Sequence, residues 1–421
     1  MATEGPFLAA IIARLPDPTV NLAAYGVAFA LAILIEAPVI MLMSASTSLV
    51  RDRVTYLKLR NFARFLGVAT TGLLLAVLIP SVYRWLTGTV LGLPPEVADL
   101  TYGALWFFLP WPAAIAYRRF LQGVLIRAGK TRLVAWGTLI RLFGMVIAAL
   151  IGFFVLDLPG AWVGGLALGT GVTVEAIAAR FMAASSVRDL LEGKGDLEAR
   201  GRNVTYRDIA KFYFPLALTS FIGLSIQPLL TFFMGRSIAP LESLAVFPVV
   251  HALSFFFRSM GLALQDTAIA LMGERFTHLP ELKKFALGLG LATSTGLALV
   301  AFTPLSRLWF ETVSGLTSEL ASFALTPTQV IVPLPFLAVL LSLQRAILVE
   351  GRKTHYITVA SALEVGCVAV LFILLGFRLD LVGATAAFGA FMGARLVSVS
   401  YLLVRCRSVL RDAPASTPRG A

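Results

Sequence analysis

Apolar runs of about 20 residues or more recur from end to end of this 421-residue chain. An α-helix of that length spans the roughly 30 Å of hydrocarbon in a bilayer. Twelve apolar segments, the first of them short, lie near positions 3–15, 20–50, 61–86, 98–123, 132–156, 160–187, 208–235, 242–272, 282–306, 320–347, 355–377 and 380–405. Only 14% of the residues are charged, against about a quarter in an ordinary soluble domain. A soluble protein with a large core would break these runs into shorter amphipathic pieces. A polytopic helical membrane protein is the class that remains.

The charge pattern gives an orientation. Of 35 Lys and Arg residues, 27 fall in alternate connections and the C-terminal tail. Those connections include RDRVTYLKLRNFAR, YRRFLQGVLIRAGKTR, GERFTHLPELKK and QRAILVEGRK. Arg14, Arg84, Arg236, Arg307 and Arg378 lie on the opposite side. The positive-inside rule then places both termini in the cytoplasm. The net charge of +12 is accounted for by this topology, and no nucleic-acid partner is needed.

The chain also matches itself at a shift of 222 or 223 residues. Pro6, Arg14, Pro18, Leu22 and Ala23 fall on Pro228, Arg236, Pro240, Leu244 and Ala245, and Arg53 falls on Arg275. Pro110 and Pro112 fall on Pro333 and Pro335, and Thr131 on Thr354. Paired P-x-P motifs and loop residues at one shift point to duplication. Six helices per half make the repeats parallel, which places a substrate site near mid-membrane between the halves. The expected fold class is an all-α membrane protein with about twelve transmembrane helices in two parallel pseudo-symmetric six-helix bundles. Residues 1–187 form the first half, 188–207 a cytoplasmic linker, 208–405 the second half and 406–421 a cytoplasmic tail. The first helix is short. Its equivalent in the second half would start about fourteen residues before Met1, so an upstream start is expected.

Charges inside these runs are costly, at roughly 2.5–3.5 kcal/mol each near a helix centre, and usually face a bundle interior or water. Glu36 is the one charge between Leu22 and Val50. In the repeat it falls on Arg258, and Arg141 falls on Glu364. Both equivalent pairs have opposite signs, so each could meet across a central cleft or be satisfied locally. His251, Arg258 and Gln265 recur every seven residues on one helical face, with Ser254 and Asp266 beside them. Tyr25, Glu36 and Thr47 share a face at a spacing of eleven. Glu175 and Arg395 are further buried candidates. The substrate or ion-pathway residues are therefore Glu36, Arg258, His251, Gln265, Asp266, Arg141 and Glu364, with Asp266 and Glu36 as proton or cation sites. Prolines lack a backbone donor, so Pro38, Pro110, Pro112, Pro333 and Pro335 are the candidate hinges.

Three histidines, His251, His278 and His355, sit in no metal or transferase motif, and there is no Walker sequence. Cys367 and Cys406 suit neither a disulfide framework nor a metal site. No catalytic residue, metal or cofactor is expected, and no obligate protein partner. The expected partners are the lipid bilayer, a small-molecule substrate and a coupling proton or cation.

Duplicated six-helix halves, a central linker and inside termini resemble the multidrug and toxic compound extrusion superfamily. LAAYGVAFAL (22–31), KFYFPLALTS (211–220), LVEGRKT (348–354) and VGATAAFGAFMGA (382–394) resemble its progressive ankylosis branch. That resemblance implies a secondary transporter in the plasma (inner) membrane that exports a small organic anion, of the citrate, nucleotide or pyrophosphate class. It also implies that helices 1, 2, 7 and 8 line the cleft. Cation-coupled drug exporters of the superfamily carry an acidic residue in helix 1 or 7, and none lies within helix 7 here. A multidrug or organic-cation antiporter and a lipid-linked oligosaccharide flippase are the alternatives.

Overall fold

A computed structural model describes residues 3–193, 205–272, 276–351 and 353–412. The linker expected at 188–207 falls mostly outside these residues, as do Arg275, Arg352 and the end of the tail. The described residues are almost all helical, with one isolated bridge between Ile238 and Val382.

Each of the twelve apolar segments carries helix. They are α1 (Glu4–Ile12), α2 (Pro18–Glu36) continued by α3 (Leu42–Leu49), and α4 (Arg53–Val77) with the short α5 (Pro80–Arg84). Next come α6 (Pro95–Phe107), α7 (Trp111–Arg127), α8 (Thr131–Phe154), α9 (Gly160–Met182) and α10 (Ala184–Leu191). The seventh segment is α11 (Tyr206–Leu224) with α12 (Ile226–Met234). Then follow α13 (Pro240–Leu271), α14 (Leu279–Phe302), the one-turn α15 (Leu305–Arg307), α16 (Ser318–Val330), α17 (Leu334–Glu350), α18 (His355–Phe372) and α19 (Gly383–Asp412). Eight helical stretches among the described residues are long and apolar enough to cross a bilayer, α2 with α3 and α11 with α12 each counting as one, and two bent pairs extend that number to ten. α6 with α7 and the short α1 are the remaining pieces of the twelve-segment layout.

Prolines explain where segments break. α2 gives way to a tight turn at Ala37–Val39, because Pro38 has no N–H to continue the ladder. α6 and α7 are separated at Phe108–Pro110, ending on the first proline of the first P-x-P. α16 and α17 are bent by 41° at the second. Pro215 and Pro248, in contrast, sit inside α11 and α13 without ending them.

The duplication is written in the backbone. Asp17 and Ala239 both adopt left-handed geometry, with φ of 50° and 52°, immediately before a helix that opens with proline. Asp157 and Asp380 repeat it at 47° and 51°, and Gly92 and Gly315 at 66° and 74°. Non-glycine residues rarely tolerate positive φ, so matched outliers at the self-similarity shift are not a product of shared apolar composition. Wide π-type turns recur at Trp85–Val90 and Leu308–Val313. The side chain of Asn21 accepts from the Ala161 N–H at 2.9 Å, and that of Ser243 from the Ala384 N–H at 3.0 Å.

The chain divides into two compact units. One runs Ile11–Phe232; the other joins α1 up to Ala10 with the chain from Phe233 onward. α11 therefore belongs to the first unit. Its Tyr213 packs edge-on against Phe62 of α4 at 5.2 Å and donates its hydroxyl to the Pro38 carbonyl. Large exposed apolar side chains such as Phe65, Phe143, Phe154 and Phe181 cover the outside, as expected of a surface solvated by lipid.

Candidate functional site

In the first unit the charges gather where α2, α7, α8 and α9 approach one another. Glu36 ends α2 and is buried. The break at Pro110 makes Trp111 the first residue of α7, and its indole N–H donates to Glu36 Oε2. A buried carboxylate needs such a donor, because desolvation otherwise disfavours its charge. Glu175 of α9 has no solvent exposure. It accepts from Arg118 Nη1 at 2.6 Å and from Gln122 Nε2 at 3.0 Å, and Arg141 Nε lies 3.5 Å away. Arg118 and Gln122 are four residues apart on α7 and so share a face.

Arg118 and Arg119 correct one expectation. The charge count assigned both to a cytoplasmic connection, but α7 continues through them to Arg127. Arg118 is 3% exposed, which is the mark of a structural or functional charge and not of an orientation signal. Arg345 is corrected in the same way, because it lies within α17 and is only partly exposed.

The second unit gathers charges from α13, α17, α18 and α19. Arg395 Nη2 of α19 lies 2.8 Å from Glu364 Oε1 of α18. Arg258 of α13 faces His251, one heptad earlier, at 3.4 Å between Nη2 and Nε2. A guanidinium can only donate, so the imidazole Nε2 accepts. The His251 ring stacks near Phe247 at 5.8 Å and Phe255 at 6.5 Å. Phe391 of α19 lies under two cations, with Arg258 at 5.4 Å and Arg395 at 5.3 Å from its centroid.

Of the residues expected from sequence, His251 and Arg258 meet directly. Arg141 joins Glu175, and Glu364 joins Arg395. Thus Arg141 and Glu364, equivalent in the repeat, each pair with the last helix of their own half. Gln265 is half-buried further along α13. Ser254 is buried and its hydroxyl has no partner among the described residues. The side chain of Asp266 lies outside the described residues. Tyr25 is buried and stacks on Phe29, and Thr47 donates to the Met43 carbonyl at 2.9 Å.

Sequence reasoning passed over Trp111, Arg118, Gln122, Arg345 and Phe391. Trp111 stands between the two prolines already singled out, and the i, i+4 spacing of Arg118 and Gln122 was available. Phe391 carried no sequence signal. A groove of about 410 Å³ is lined by Ile140, Phe143, Ile147, Ile151 and neighbouring residues of α8 and α9, with none of the cluster side chains among them. No titratable side chain lines it, so it belongs to the lipid-facing surface.

The fold built from these elements is a known one. An inward-facing multidrug resistance MATE family transporter of the MOP superfamily superposes with a TM-score of 0.75. The match covers 98% of this chain and 96% of that one at 16% identity. The chain has the MATE fold. An outward-facing structure of a MATE family transporter gives 0.64 over 98% of this chain and 92% of that one, at 16% identity. The lipid II flippase MurJ in an inward closed conformation gives 0.72 over 97% and 87%, at 15% identity. No protein-family model and no curated protein matches the sequence. With the MATE fold and its apolar spans, the chain is an integral, multi-pass membrane protein.

Proposed function

We propose that this protein is a secondary transporter that exports a small organic anion by alternating access between its two six-helix halves. It sits in the plasma (inner) membrane with both termini cytoplasmic. The carrying observation is the sign of the membrane-embedded charge. Among the described residues the clusters contain Arg118, Arg119, Arg141, Arg258, Arg345 and Arg395 against Glu36, Glu175 and Glu364. Unpaired cations are costly in hydrocarbon, and an anionic substrate would offset that cost. The MATE fold, similar to both inward- and outward-facing structures, supports alternating access. The resemblance to the progressive ankylosis branch supports the anion.

In this reading Arg258 and His251 serve the anion, and Glu36 serves a coupling proton or cation. Pro38 and the two P-x-P breaks supply the bends about which segments move.

Uptake into proteoliposomes tests it. Labelled citrate, pyrophosphate or nucleotide should move, and cationic dyes should not. Transport of dyes alone would replace the reading with a multidrug antiporter. A flippase for a lipid-linked oligosaccharide is favoured by the similarity to MurJ. Movement of a lipid-linked pyrophosphate, with none of the soluble anions, would establish it instead.

A further inference from the structure

We propose that Arg258, Arg345 and Arg395, gathered about Glu364 in the second unit, form a binding site for an oxyanion carrying at least two negative charges, carboxylate or phosphate. The proposal rests on the anion-transport reading and adds to it a place and a minimum charge.

The argument is one of charge compensation. In the first unit two carboxylates, Glu36 and Glu175, stand with Arg118, Arg119 and Arg141, and Glu175 receives Arg118 and Gln122 as donors with Arg141 beside it. One positive charge is in excess there. In the second unit Glu364 has one close partner, Arg395. Arg258 and Arg395 stand 5.4 and 5.3 Å from the same Phe391 ring, and Arg345 lies on α17 next to Gln344, whose amide donates to the Val399 carbonyl of α19, the helix of Arg395 and Phe391. One carboxylate thus stands among three guanidiniums. Two positive charges are left without a carboxylate among the described residues.

The neighbours of Arg258 reinforce this. It is about nine-tenths buried, yet its contacts are a histidine ring nitrogen and the faces of Phe255 and Phe391. A ring face attracts a cation without using up its N–H donors. The buried Nε–H groups of Arg258, Arg345 and Arg395 have no acceptor. Guanidinium forks present two parallel donors to a pair of oxygens on a carboxylate or phosphate, which ammonium groups do not. Phe391, between Arg258 and Arg395, sets those two donors around one ring. A monoanion would leave one positive charge uncompensated, and so the site favours two charges or more.

Glu364 then has a second role. As the resident anion it competes with the ligand for Arg395. Substrate binding would displace it, and its return to Arg395 would favour release.

The test uses the full chain in lipid nanodiscs, with binding measured for citrate, for inorganic pyrophosphate, and for nanodiscs containing a polyprenyl pyrophosphate lipid. The three arms separate a carboxylate, a free phosphate and a lipid headgroup. Arg345→Gln is the primary variant, because Arg345 is only half-buried and its loss breaks no ion pair. It should weaken binding at least tenfold, and Arg345→Lys should recover part of the loss. Glu364→Gln should tighten binding several-fold by removing the competitor. Arg258→Gln should weaken binding as Arg345→Gln does, with a monodisperse elution profile as the folding control. Unchanged affinity in Arg345→Gln overturns the site. So does a loss confined to Arg118→Gln. If the wild type transports an anion while both second-unit variants bind it normally, the site fails and the transport reading stands. If the wild type neither binds nor moves any of the three, both fall.

Discussion

Glu175 is the side chain whose charge the first unit can least afford to lose. It has no solvent exposure, and three side chains from two other helices converge on it. Glu175→Gln keeps the shape and removes the charge. Arg118 would then be buried without its 2.6 Å partner, and Arg141 without the carboxylate 3.5 Å away. Breaking a buried pair by removing one member costs about 3–5 kcal/mol, because the remaining charge has no compensation. For a unit of some 200 residues this corresponds to a fall in melting temperature of roughly 6–20 °C. The assay is thermal unfolding of the purified protein in detergent, followed by tryptophan fluorescence. Arg118→Met alone should also destabilise, since it leaves Glu175 short of a donor. The double variant Glu175→Gln/Arg118→Met should be more stable than the sum of the single losses predicts, with a coupling above about 1 kcal/mol. Losses that add to within about 0.5 kcal/mol would refute the pairing and reduce Glu175 to a hydrogen-bonded carboxyl.

Two further outcomes follow from the same geometry. Trp111→Phe removes the indole N–H that donates to Glu36 and should cost about 1–3 kcal/mol, while Glu36→Gln in that background should recover part of it; equal melting temperatures for Trp111→Phe and wild type would remove Trp111 from the site. Gly123 of α7 lies where a Cβ would come within 2.5 Å of the Met43 carbonyl and of the Ser46 Cβ, so Gly123→Ala should force α3 away and cost about 1–3 kcal/mol in thermal unfolding, whereas Gly72→Ala, in open space on α4, should be neutral or stabilising.

How much of this was legible beforehand depends on the range of the interaction. Transmembrane character follows from the length of apolar runs, because the bilayer sets one length for every spanning helix. Duplication follows from prolines and loop residues at one shift, and the backbone repeats it at Asp17 and Ala239 and at Asp157 and Asp380. Pro38 and the P-x-P pairs announced their breaks, because a missing N–H acts within a single turn. Pro215 and Pro248 show the limit of that rule, since their helices continue past them.

The site was legible as a set of residue types and not as a set of partners. A lone Glu36 or Arg258 in an apolar run identifies itself, because an embedded charge must be compensated somewhere. Arg118 and Arg345 were hidden by their basic surroundings, where a buried guanidinium and a cytoplasmic one look the same in sequence. Partner choice came only from packing. Glu175 meets Arg118 from 57 residues away, and Trp111 meets Glu36 across 75. No helical period extends over such distances. The chain alone determined that charges would be buried and that helices would bend at particular prolines. Only the tertiary structure decided which charges met, because burial raises the energy of every ion and the three-dimensional arrangement of helices selects the partner that lowers it.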